Sequence, residues 1–283
     1  KKKMANWLDI ILYISGAYIL ICLVFYFLQD YFFFQPEILP RHFTYQYVFP
    51  FEEVNFEMED GGFINGIHFK VPNSKGVIYY FKGNSRSIKG WGKFARDFVS
   101  KGYDFFMVDY RGFGKSSGKR TESILYNDGQ HVYKWLTTQY DEDKIIIYGR
   151  SLGSGIATRI ASWNDPKMLI LDSPYHSFLA QVRRYGFLLP IHWLLKYHIR
   201  TDHFIKKVTC PIFFLHGKKD RLIPFSQSEK LQKNVPKRSH LFIIEQANHN
   251  NLPQFSEYHD FLYDILNDGD FFEHYFNQIP RTI

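Results

Sequence analysis

The sequence predicts an α/β protein: a mostly parallel sheet with helices on both faces, a small helical cap, and one N-terminal transmembrane helix. Three observations predict it. Continuous apolar runs at residues 77–81, 105–108, 145–148, 168–171, 212–215 and 241–244 alternate with helical segments. Strands that are apolar on both faces are covered on both sides, and that is how parallel sheets are built. The third run leads through Gly149-Arg150-Ser151-Leu152-Gly153 into a helical pattern, and residues 10–28 carry no charge at all.

Taken in order from the N-terminus, residues 10–28 are interrupted only by Ser15 and Gly16. As a helix they span roughly 28 Å, close to the hydrocarbon thickness of a bilayer. A cleaved signal peptide has a shorter apolar core and small residues at its exit. Here the exit is Gln29-Asp30-Tyr31-Phe32-Phe33-Phe34, bulky and aromatic, which suits an uncleaved anchor with an interfacial belt. Lys1, Lys2 and Lys3 precede the span, and Asp30 and Glu37 follow it. The positive-inside rule then makes residues 1–34 a cytoplasmic stub and anchor, with the remainder on the non-cytoplasmic side. A start at Met4 removes most of that bias. Pro36, Pro40 and Pro50 punctuate a neck over 35–50, and the globular domain is expected over 51–267. It opens on a hairpin, because residues 54–58 and 63–69 flank the turn Asp60-Gly61-Gly62.

The chemistry is expected on three loops at one rim of the sheet. A serine on a tight strand-to-helix turn has its side chain pushed out of the sheet, and glycines flank it where the turn is too crowded for a Cβ. The helix that follows aims its free N–H groups and positive dipole end at the place where an oxyanion forms. A nucleophilic serine needs a base and an acid, and in α/β-hydrolases they follow in the order Ser, Asp or Glu, His. Asp220 sits on a polar loop beyond the run 212–215, and His249 on the equivalent loop one strand later. His249 takes the proton from Ser151, and Asp220 fixes its tautomer and stabilises the imidazolium. Asp172, which ends the run 168–171, is the alternative acid, while Asp104 and Asp109 are read as structural. Among the other histidines, His216 is read as holding the Asp220 loop. His176, His192, His198 and His203 fall in a cap, and His259 on the helix after the His249 loop.

Composition narrows the rest. The net charge is +7, yet the 35 lysines and arginines are scattered without a basic-aromatic motif, so nucleic acid is not an expected partner. A solvated surface facing anionic lipid fits the charge better. Cys22 lies in the membrane span and Cys210 beside a buried strand, so no disulfide is expected. No His-Glu-x-x-His or paired-cysteine spacing is present, and neither metal nor cofactor is expected. Gly114-Lys115-Ser116 resembles the end of a phosphate-binding loop, but Asp109 stands where that loop needs its first glycine.

Five motifs, taken together, resemble one family. These are Lys82-Gly83-Asn84-Ser85, the stretch Asp109-Tyr110-Arg111-Gly112-Phe113-Gly114-Lys115-Ser116, the Ser151 turn, Asp172-Ser173-Pro174-Tyr175, and His216-Gly217 with Asp220 ahead of Asn248-His249-Asn250. In this order the chain resembles membrane-anchored α/β-hydrolase-domain serine hydrolases of the serine-aminopeptidase-like and prolyl-oligopeptidase-like branch, over about residues 50–267. One departure is Lys82, where the family usually has histidine before the glycine. The resemblance implies an α/β-hydrolase fold, and an oxyanion hole made by the backbone N–H groups of Asn84 (or Ser85) and Leu152. It also implies a lid at the insertion, about 174–207, where Phe187, Trp193 and Leu194 are expected to form a hydrophobic wall for an acyl chain. Ordinary packing of a cap helix is the competing reading of that stretch. The implied activity is cleavage of carboxyl esters or thioesters in small-molecule, lipid or acylated substrates at a bilayer. A serine peptidase is the runner-up and a catalytically silent binding module the third reading. The tail 268–283 is either a partner segment or a frayed end, and protein partners stay open.

Overall fold

The computed structural model describes residues 7–186 and 188–267. Lys1 to Met4, Phe187 of the expected cap wall, and the tail 268–283 lie outside the described residues. Eight strands form one sheet: β1 Phe51–Glu57, β2 Phe63–Phe69, β3 Val77–Phe81, β4 Asp104–Val108, β5 Ile145–Arg150, β6 Met168–Asp172, β7 Ile212–Gly217 and β8 Ser239–Ile244. Their order across the sheet is β1-β2-β4-β3-β5-β6-β7-β8. β1 and β2 make the expected hairpin, with Gly61 at φ 77° in the turn and Asp60 Oδ1 accepting the Gly62 N–H at 3.1 Å. β2 is antiparallel to β4, and every later neighbour pair is parallel.

The chain leaves β3 for β4 on one side and then crosses back to β5 on the other. Such a reversal opens a crevice beyond the carboxyl ends of the strands, where ligands bind in open α/β sheets. β5 shows why its sequence reads as a continuous apolar run. Ile145 and Ile147 pack with Leu125, Val132, Ile156 and Ile160 of the helices Glu122–Leu136 and Leu152–Ala161. Ile146 and Tyr148 pack on the opposite face with Phe261, Leu262 and Ile265 of the helix Ser256–Asn267. Several strands run past their apolar stretches into Arg150, Asp172 and Gly217. Backbone pairing continues there, Arg150 opposite Asp172 and Gly217 opposite Ile244, although hydropathy has already fallen.

The N-terminal helix, Trp7–Phe33, has 27 residues and is long and apolar enough to cross a membrane. It continues through the aromatic exit, since nothing breaks it before Pro36, whose ring disfavours helical backbone at Gln35. Its last turns dock on the cap. Gln29 is fully buried; its Nε2 donates to Leu194 O at 3.0 Å, and its Oε1 accepts the Lys196 N–H at 2.8 Å. Phe33 meets Phe178 edge-on with ring centroids 5.0 Å apart. The neck is stitched to the domain by short bridges, Gln35 to Ser85 and Ile38 to Gly114, rather than standing free as a spacer.

One buried histidine makes the fold sensitive to acid. His68 on β2 is 1% exposed between the Phe106 and Trp135 rings, with Nε2 at 2.9 Å from Tyr140 Oη. Burial pushes its pKa down to about 4, against the pull of the Asp104 carboxylate. The unfolded chain, near 6.5, therefore binds a proton that the folded chain refuses between pH 6.5 and about 4. This contribution to stability is full above pH 6.5 and shrinks as pH falls through that window, by at most about 3 kcal/mol. Urea midpoints in detergent are expected to fall between pH 7.5 and 5, with a shallower fall in His68→Phe. Equal slopes in the two proteins would contradict this.

Candidate active site

β5 ends at Arg150 and the next helix begins at Leu152, which leaves one residue for the turn. Ser151 takes it at φ 51° and ψ −120°, a conformation that L-residues adopt only when the surroundings enforce it. The flanking glycines explain the enforcement. A Cβ on Gly149 would lie 2.5 Å from the Ala157 Cβ, and one on Gly153 would lie 2.2 Å from Phe81 O. The Ser151 N–H donates to Asp172 O at 2.9 Å, tying the turn to β6.

The serine, histidine and aspartate meet over this rim. His249 Nε2 is 3.0 Å from Ser151 Oγ, and His249 Nδ1 is 2.7 Å from Asp220 Oδ2. The two loops are held against each other: the Lys219 N–H donates to Ala247 O at 2.9 Å, and a Cβ on Gly217 would sit 2.5 Å from the same oxygen. Asp220 Oδ1 accepts the Ile223 N–H at 2.8 Å. Burial by itself raises the Asp220 pKa, but hydrogen bonds from His216 and His249, the nearby His249 charge and the Ile223 N–H outweigh it. The carboxyl is held well below the usual carboxylate range. Asp220 thus stays ionised and keeps a proton on His249 Nδ1, which leaves Nε2 as an acceptor for the serine hydroxyl.

The competing residues have other employment. Asp172 accepts from Tyr148 Oη at 3.0 Å and from Ser173 Oγ at 2.9 Å, and lies 3.5 Å from Arg150 Nε. His216 is buried, its Nε2–H shared between Ile223 O at 2.8 Å and Asp220 Oδ2 at 3.3 Å, while Nδ1 accepts from Ser228 Oγ at 2.7 Å. The rings of His192 and His198 meet edge-on in the cap with centroids 6.2 Å apart, and His259 Nε2 donates to Pro253 O on its own helix's approach. Arg150 was invisible to motif reading because it fills the variable position of G-x-S-x-G. Its buried guanidinium ties the Ser151 strand to the His249 loop, with Nη2 donating to His249 O at 3.2 Å. A lone arginine closing an apolar strand is the signal that marks it.

The loop Gly83-Asn84-Ser85 packs beside Ser151. A Cβ on Gly83 would touch the Trp91 ring at 3.1 Å and the Ser151 Cβ at 3.8 Å. Asn84, Ser85 and Leu152 line one cavity of about 750 Å³ with Ser151 and His249. The neck braces this loop from behind: the Gln35 N–H donates to Asn84 O at 2.9 Å, and Asn84 Nδ2 donates to Phe33 O at 3.0 Å. Lys82 acts as an internal strut. Its Nζ donates to Arg86 O at 3.1 Å, lies 3.4 Å from Asp109 Oδ1 and sits 3.8 Å above the Phe113 ring. Burial lowers the Lys82 pKa and raises that of Asp109, and the attraction between the two opposes both shifts.

The cap differs from expectation. Trp193 is 81% exposed and neither it nor Leu194 lines the cavity. The apolar wall comes instead from Phe178, Val182 and Leu189, with Phe25, Phe32 and Phe33 of the N-terminal helix. The chain reverses at Pro190 into the short turn Ile191–Leu194, which docks on that helix through the Leu194 carbonyl and turns Trp193 outward.

Known structures share this architecture. The mouse α/β-hydrolase domain-containing protein 10 aligns with a TM-score of 0.58 over 76% of this chain and 96% of that one, at 19% identity. The chain has the α/β-hydrolase fold. As an α/β hydrolase by fold, it is also similar to the Pyrococcus furiosus esterase Pf2001, with a TM-score of 0.61 over 86% of this chain and 98% of that one at 22% identity. The family described as serine aminopeptidase, S33, matches residues 72–203 of the hydrolase-fold chain. The lysophosphatidylserine lipase ABHD12 of Xenopus tropicalis is 28% identical over 175 residues, 55% of this chain and 45% of that lipase. The chain thus spans about half the length of the curated lipases that it matches.

Proposed function

We propose that this protein is a membrane-anchored serine hydrolase that cleaves carboxyl ester or thioester bonds through an acyl-enzyme intermediate. The observation that carries the reading is the continuous hydrogen-bonded path from Ser151 through His249 to Asp220. Ser151 Oγ attacks the carbonyl carbon while His249 Nε2 takes its proton. The backbone N–H groups of Leu152 and of Asn84 or Ser85 receive the oxyanion, each worth a few kcal/mol in the transition state. His249 then protonates the departing alcohol or thiol. In the second half, His249 takes a proton from water as it attacks the acyl carbon, then returns that proton to Ser151 Oγ as the acyl–oxygen bond breaks and the carboxylic acid leaves.

The names of the esterase and lipase relatives support an ester substrate. A further observation separates this from the aminopeptidase reading suggested by the family's description. A peptide's α-ammonium group needs an acidic clamp, and among the described residues that line the cavity there is neither aspartate nor glutamate. The helix Trp7–Phe33 supplies the anchor, and the lysines before it against Asp30 and Glu37 after it favour a non-cytoplasmic catalytic domain.

The deciding experiment uses the full chain in detergent. A fluorophosphonate is expected to label the folded protein at Ser151, located by mass spectrometry of the modified peptide, and a panel of esters is expected to turn over where aminoacyl amides do not. A folded protein that resists the probe would favour a silent binding module. Preferential cleavage of the amides would favour the peptidase.

A further inference from the structure

An anchor that only tethers an enzyme has no reason to touch its substrate cavity. Here it does. Phe25, Phe32 and Phe33 line the same cavity as Ser151 and His249. Phe25 and Phe33 meet edge-on at 6.1 Å and so form one continuous apolar surface on the helix. Phe178, Val182 and Leu189 of the cap line the same cavity.

The cap also reaches far along the helix. Tyr18 Oη donates to Leu188 O at 3.0 Å, while Gln29 holds Leu194 and Lys196 near the other end. Tyr18 and Gln29 are separated by eleven residues, or about 16 Å along a helix axis. Residues 10–28 are the uncharged stretch, so the Leu188 contact lies well inside any hydrocarbon layer that this helix crosses. The cap residues near it are those a soluble surface would avoid: Leu188 is 72% exposed, Trp193 81% and Tyr185 62%. Large apolar side chains exposed together beside a membrane-length helix are suited to lipid rather than water.

Resting on the hydrolase reading above, we propose that the N-terminal helix is a wall of the acyl-binding site. The substrate is then a long-chain acyl ester already resident in the bilayer, entering sideways between the helix and the cap. The acyl chain lies along Phe25 and Phe33 with its carbonyl delivered to Ser151, and the headgroup stays at the water-facing end. The helix therefore contributes to specificity as well as to attachment.

The test uses the full chain reconstituted in phosphatidylcholine vesicles, with p-nitrophenyl acetate and p-nitrophenyl palmitate as probes. Phe25→Ala combined with Phe32→Ala is expected to lower the palmitate-to-acetate ratio of kcat/KM by about tenfold. A fluorophosphonate labelling rate close to wild type would show that Ser151 is still presented. An unchanged ratio, whether both esters fall together or neither falls, overturns the proposal. As an independent measure, vesicles with brominated acyl chains are expected to quench tryptophan emission in the wild type more than in Trp193→Phe. Equal quenching would overturn entry from the bilayer. A wild type inert towards both esters and the probe would instead bring down the hydrolase reading itself.

Discussion

Ser151→Ala is expected to lower kcat for ester hydrolysis by about 10⁵- to 10⁶-fold, with little change in folding. The hydroxyl is the only atom lost, and it makes one side-chain hydrogen bond, to His249 Nε2 at 3.0 Å. The N–H to Asp172 O and the packing of Gly149 and Gly153 are untouched, so the turn persists. What vanishes is the covalent path; the oxyanion donors and the cavity can then only orient a water molecule. Stability gives a second readout. Alanine at φ 51° bears the same backbone strain as serine, whereas Ser151→Gly is expected to relieve it and stabilise the fold by about 1 kcal/mol. Steady-state kinetics beside thermal unfolding checks both. Near-normal turnover in the alanine variant would remove Ser151 as the nucleophile.

Asp220→Asn is expected to lower kcat by about 10⁴-fold without displacing any loop. The carboxylate accepts from His249 Nδ1 at 2.7 Å, and an amide nitrogen in its place would donate. His249 would then carry its proton on Nε2, facing Ser151 as a donor, and have no lone pair for the serine proton. The charge that stabilises the imidazolium would go as well, and it is firmly present in the wild type because the Asp220 pKa lies well below the usual range. Asp172→Asn makes the contrast. That carboxylate serves Tyr148, Ser173 and Arg150, so its loss per folded molecule is expected to be far smaller. Comparable losses from the two variants would mean that the acid has been misassigned.

Much of this architecture is legible in the sequence because parallel strands carry a local signal. β3 coincides with the apolar run 77–81 and the hairpin with its Asp60-Gly61-Gly62 turn, since continuous hydrophobicity and glycine placement are properties of neighbouring residues. The strand ends are less legible. Arg150 and Asp172 pair in the sheet beyond their apolar runs, because each side chain finds the other across the strands and so offsets the desolvation cost it incurs alone. The cap is the least legible part. Phe187, Trp193 and Leu194 read as its most apolar stretch, yet hydrophobicity says only that a residue avoids water, not which neighbour covers it. Trp193 faces outward, and the cavity wall is made by Leu189, Phe178 and the N-terminal helix.

The chain by itself determined the kind of chemistry on offer: a serine between crowded glycines, an aspartate and a histidine on successive strand ends, and an uncharged span ahead of them. These follow from composition and spacing over a few residues, which local physics constrains strongly. Only the tertiary structure decided that Asp220 rather than Asp172 meets His249, that Lys82 braces the loop by pairing with Asp109, and that the membrane-length helix lines the cavity at Ser151 and His249. Each of those contacts joins residues far apart in sequence. Their meeting depends on the twist of the sheet, the reversal at β3 and the path of the cap, which no short window of residues contains.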